Sequence, residues 1–284
     1  MSRFACLCAL IVSLALPAAA FEGTVTTRRI SVKPAAITKI VGGDAKSSER
    51  ILEMSAEKLL AEKDAGVETK PSTVSISGSK VRVEAADGIF VLMDTESGLL
   101  QVVNTAKRQV MEVSKADMKA AAENMASKSK AVEAQIAKLP PEKRREAEAM
   151  LKTLPGAKSD TTGPSLRALG KTETINGYKC AAFETKTNAE TTIGWLTQDA
   201  KDVAASFRNF AAAEQNIRPG PKTSRMLLTE KGLPVRVQTL AAGGYTLDEI
   251  RKIEPKSLSA DVFQVPPGFM KVDAAGMAGG GKPK

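Results

Sequence analysis

Histidine is absent from this sequence, and aromatic residues fill only 4% of its 284 positions, with one Trp and two Tyr. The missing histidine removes Ser-His-Asp and Cys-His nucleophilic systems and, with so few cysteines, argues against a zinc site. Phosphate-binding loops are missing too. Gly279-Gly280-Gly281-Lys282 has neither the strand before it nor the helix after it that such a loop needs. Adjacent carboxylates such as Asp248 and Glu249 point to opposite faces of a strand and cannot share a substrate. Acids distant in sequence could still meet for paired-acid glycoside chemistry. Scarce aromatics disfavour sugar stacking and single-stranded nucleic-acid platforms. The expectation is a non-catalytic protein with no cofactor, no metal and no nucleic-acid partner.

Long apolar runs are also lacking, except at the start. Met1-Ser2-Arg3 leads into an apolar run of roughly 12 residues, against the ~20 that span a bilayer, and Pro17-Ala18-Ala19-Ala20 follows. This predicts a signal peptide over 1–20, cleaved near Ala20, and a periplasmic or secreted protein; an uncleaved anchor is the alternative. Cys6 and Cys8 leave with it, so Cys180 has no disulfide partner. Placed inside a strand, it reads as a small buried apolar side chain rather than a reactive thiol. Loss of Arg3 lowers the formal net charge from +9 to +8. The cations are interspersed with acids, which reads as a solvated surface; an anionic membrane surface is a further partner class they allow.

The chain is organised around Asn176-Gly177, which separates two strand-like runs and carries the strongest local hairpin signal, a type I′ turn. A first strand is expected over 22–32, and a helix over about 47–64 with Ile51, Leu52, Leu59 and Leu60 on one stripe. From 73 to 113 the period is two: Val81, Val83 and Ala85 alternate with charged residues, and turns at Asp87-Gly88 and Glu96-Ser97-Gly98 separate short strands. Ser114 to Asp117 fits a capping box. Met118, Ala122, Met125, Val132, Ile136 and Leu139 then form a seam expected to bury against the sheet or another helix. A second helix over 142–152 would complete a helical insertion at 114–154, its Met-bearing face serving core packing or a partner. A polar linker over 158–164, a helix over 199–214 capped by Asp199, strands over 224–229, 233–238 and 245–253, and a disordered Gly/Ala-rich tail at 273–284 complete the reading, with 21–272 as one domain.

Several of these segments carry a family likeness: Gly170-Lys171-Thr172, Gly177-Tyr178-Lys179-Cys180, Trp195-Leu196-Thr197 and the closing Phe263-Gln264-Val265-Pro266-Pro267-Gly268-Phe269. The sequence resembles the bacterial exported domain-of-unknown-function 4412 family, related to periplasmic lipoprotein carriers of the LolA/LolB type. The resemblance implies an α+β fold: a curved antiparallel sheet, an incomplete β-barrel, with helical insertions packed on its concave side. It implies no known catalytic residues. The expected function is binding of a hydrophobic or amphipathic ligand, such as a lipid or acylated polypeptide, in that concavity. Val81, Val83, Ile89, Val91, Ile193, Trp195, Val235 and Val237 are the expected lining, unless the helices fill the space. The other reading is an envelope interaction protein that meets a protein partner through the helical hairpin 114–154.

Overall fold

The computed structural model describes residues 21–43, 45–62, 66–85, 88–144, 147, 166–187, 190–214 and 232–273. Expectations for the leader, the linker, the strand at 224–229, most of the helix at 142–152 and the tail from 274 lie outside these residues. Twelve strands form one open sheet in an α+β chain, in the order β12-β6-β5-β4-β3-β2-β1-β11-β10-β9-β8-β7. β1 (Gly23–Val32) is followed by a meander of β2 (Val67–Ser77), β3 (Lys80–Ala85), β4 (Ile89–Asp94), β5 (Leu99–Asn104) and β6 (Gln109–Val113). A second meander runs through β7 (Arg167–Ile175), β8 (Tyr178–Lys186), β9 (Glu190–Thr197), β10 (Leu233–Ala241) and β11 (Gly244–Pro255). Only the short β12 (Met270–Lys271) pairs in parallel, with β6.

β2 starts earlier than the alternation suggests, with Pro71 inside it. Its β3 neighbour reaches only Ser72, so the missing proline N–H falls where β2 pairs on one side alone. The Asn176-Gly177 turn forms as expected, with φ of 49° and 88°. It also measures the curvature. The Asn176 side chain donates to the Ile250 carbonyl of β11 at 2.8 Å, although β8 and β11 are three strands apart in the sheet. Flat, that separation is about 14 Å. The sheet therefore curls into a trough over β7–β11.

The helices depart from the expected pattern. α1 (Pro34–Val41) was not anticipated, although Pro34 in its first turn and the left-handed Gly42 at its end are ordinary helix punctuation. The expected helix at 47–64 is instead a 3-10 helix (Ala45–Glu53) followed by α2 (Ala56–Ala61). Ser55 causes the break: it is extended, and its hydroxyl accepts from the Lys58 amide as an N-cap. α1, the 3-10 helix and α2 bury Ile37, Ile51 and Leu59 against Ile30, Tyr245 and Leu247 of the sheet. α4 (Lys201–Glu214) packs Val203 and Ala204 into a second core with Val25, Ile76, Cys180 and Leu233. Asp199 precedes this helix, but its carboxylate takes the Lys179 amide instead. A third core joins Phe90, Leu92 and Val103 to Val265 and Phe269 of the closing segment.

α3 (Lys115–Ala137) begins with the expected capping box between Ser114 and Asp117. Its described side chains from Lys115 to Gln135 are exposed, including Val132 at 42%, while Met118, Ala122 and Met125 of the expected seam lie outside the described side chains.

Candidate functional site

Strand register brings one row of side chains together inside the trough. Arg236 and Gln238 of β10 stand opposite Trp195 and Ile193 of β9. Those stand opposite Ala182 and Glu184 of β8, and Glu184 opposite Arg167 of β7. The 3-10 helix lies over this row and leaves an open cleft of about 700 Å³, within the size range of small-molecule sites. Leu52, Met54, Leu169, Ile193 and Trp195 give it an apolar strip, and charged side chains surround that strip.

Gln238 fixes the cleft's geometry. Its carboxamide oxygen accepts from the Trp195 indole at 3.1 Å, and its nitrogen donates to the Leu52 carbonyl and the Tyr245 hydroxyl, both at 3.0 Å. The buried amide ties the 3-10 helix to the sheet and orients the indole. Burial raises the Tyr245 pKa, with the Gln238 bond opposing it.

Beneath the cleft, Glu249 is almost fully buried and accepts from three arginines. Arg236 Nε lies at 2.9 Å, Arg28 Nη2 at 3.0 Å and Arg251 Nη1 at 2.7 Å. Burial pushes the Glu249 pKa up, but the Arg251 and Arg236 hydrogen bonds outweigh it and hold the carboxyl below its usual range. Arg236 turns its other end toward the cleft, where Nη1 meets Glu173 of the edge strand β7 at 3.2 Å. Further out, Arg167 pairs with Glu184 at 2.6 Å and Lys186 with Glu49 at 2.9 Å. Among the described residues, no group of three or more His, Cys, Asp or Glu could hold a metal ion.

Of the eight residues expected to line one concavity, two line the cleft, and Val81, Val83, Val235 and Trp195 meet in the second core. Ile193 and Trp195 line the cleft. Val81 is buried in the second core with Val83 packed against it, and Val235 is fully buried there. Val91 continues their row opposite Val83, while Ile89 sits 39% exposed at the start of β4. Val237 alternates with Arg236 and Gln238 and so points away from the cleft. The polar residues Arg236, Gln238 and Glu249 were missed because alternation marks which residues share a face, not which face the sheet curls toward.

Strands β7–β11, which supply most of the cleft, also carry the recognisable part of the sequence. Residues 144–269 match the family model described as Domain of unknown function (DUF4412). The matched stretch contains Glu173, Trp195, Arg236, Gln238 and Glu249; Arg28 and the 3-10 helix lie outside it. No curated protein matches the chain. It is similar at 9% identity to two solved structures, "Structure of PNGF-II in C2 space group" and "Structure of PNGF-II in P21 space group". These cover 90% of this chain but 32% and 33% of theirs, with TM-scores of 0.37 and 0.36. The chain spans about a third of their length, and likeness this faint assigns neither fold nor activity.

Proposed function

We propose that this chain is an exported, non-catalytic binding protein for a hydrophobic or amphipathic ligand, such as a lipid or acylated polypeptide. The observation carrying this reading is the apolar strip of Leu52, Met54, Leu169, Ile193 and Trp195, held open inside a curled sheet and bordered by charge. An apolar strip inside a mostly charged lining suits a ligand with one greasy and one polar end. The resemblance to LolA/LolB-type carriers belongs to the same reading. Native mass spectrometry of protein purified without detergent tests it. A discrete bound mass that is lost in Leu169→Asp is expected. A clean apo mass, with no uptake of offered lipids or acyl peptides, would overturn it.

A second reading, an envelope partner that docks through the insertion 114–154, is favoured by the exposure of the described side chains of α3. Arg144 closes the end of this helix, donating to the carbonyls of Ala137 at 2.7 Å and Leu139 at 3.1 Å. Removing 114–154 discriminates between the two readings: the carrier reading expects lost packing to damage folding, and the partner reading expects the domain to stay folded while a binding partner is lost.

A further inference from the structure

Glu173 differs from the other carboxylates of the charge cluster beneath the cleft. Around Glu249 stand Arg28, Arg236 and Arg251, with Glu57 at 3.7 Å from Arg28 and 4.0 Å from Arg251. Three cations against those two carboxylates leave one positive charge, which Glu173 neutralises from the cleft side through Arg236. The Arg236 side chain is 8% exposed, and a guanidinium so buried needs an anion beside it. Glu173 is 43% exposed and sits on an edge strand, where a carboxylate is held weakly.

The geometry points to an anion site at Arg236 that the chain's own Glu173 fills at rest, and that takes the carboxylate or phosphate headgroup of a single-chain amphiphile. This rests on the cleft reading above. Exchange keeps the charge balance: the ligand's anion replaces Glu173 on Arg236, and Glu173 swings outward into water. The guanidinium fork matches either headgroup. The alkyl chain then lies along Leu169, Ile193 and Trp195, which line the same cleft as Arg236 and Glu173.

Trp195 is the only tryptophan, so the emission of the full chain reports on the cleft. Its change would be followed on titration with dodecanoate, dodecyl phosphate, dodecyl maltoside and inorganic phosphate. Glu173→Gln is expected to tighten both anionic amphiphiles by about two- to fivefold, the size of a partly exposed ion pair, and to leave dodecyl maltoside unchanged. Glu173→Asp, too short to reach Arg236, should shift affinity in the same direction, and a single cooperative thermal transition confirms that each variant folds. Equal binding of all three amphiphiles, unmoved by either variant, would overturn the anion site and leave the cleft reading standing. Inorganic phosphate binding as tightly as dodecyl phosphate would overturn the amphiphile assignment. No response to any amphiphile would overturn both.

Discussion

The Gln238 side chain meets the Trp195 indole at 3.1 Å while its other end reaches the Leu52 carbonyl, 186 positions away in sequence. One amide thus joins the 3-10 helix to two strands, a link the backbone ladder does not make. Gln238→Leu should leave the Leu52 carbonyl and the indole N–H without their partner. A loss of about 2–3 kcal/mol in urea-monitored stability is expected, as for buried polar groups left unpaired. The Trp195 emission should shift at the same time, since the indole loses its anchor.

Glu249 couples stability to acid. Its folded pKa lies below the ordinary glutamate value, so its contribution is complete above roughly pH 4.3 and is lost as pH falls through the lower, folded value. Glu249→Gln leaves three arginines around a neutral group and should cost about 3–5 kcal/mol at pH 7, as when one partner of a buried pair is removed. Unfolding curves from pH 7 to pH 3 should show a steeper acid loss for the native chain than for the variant.

Asn176 combines a positive φ with a bond to the Ile250 carbonyl. Asn176→Ala imposes the left-handed conformation on a residue that disfavours it and removes the strut across the trough. About 1–3 kcal/mol of stability should be lost. Asn176→Gly relieves the backbone but not the strut, so it should fall between the two in the same denaturation series.

Cys180 is buried, and burial pushes its thiol up to about 11. In a chain starting at Phe21 it is the only thiol. A disulfide reagent at pH 8 should leave the folded protein unmodified and react fully in urea. Prompt labelling without denaturant would show that the cover formed by α4 and β10 opens readily.

Local chemistry made much of the fold readable. Asn176-Gly177 and the Ser114–Asp117 capping box each act over a few residues, and the structure places both where the sequence does. The cleft was unreadable for the opposite reason. Arg236 sits between Val235 and Val237 and looks like the solvated position of an ordinary strand. It is buried because Glu249 and Glu173, 13 and 63 positions away, neutralise it after the sheet has curled. Apolarity, the property the eight expected lining residues share, marks the core as readily as a cavity. The break at Ser55 is hidden in the sequence because its apolar neighbours keep helical spacing across it.

The position of β1 shapes how the chain can be assembled. Each meander pairs with its own neighbours in sequence, and β1 alone welds the two: Gly23 pairs with Ile76 on one side and with Pro255 on the other. β1 therefore waits for β11, far later in the sequence, before its second ladder can form. Closing so long a loop is slow. Until β11 is available, the edge of β1 that faces it offers unpaired amides and carbonyls to any strand nearby. A ribosome-bound or truncated chain ending before β11 should thus be a sticky half-sheet, and the last full strand acts as the fold's own capping piece.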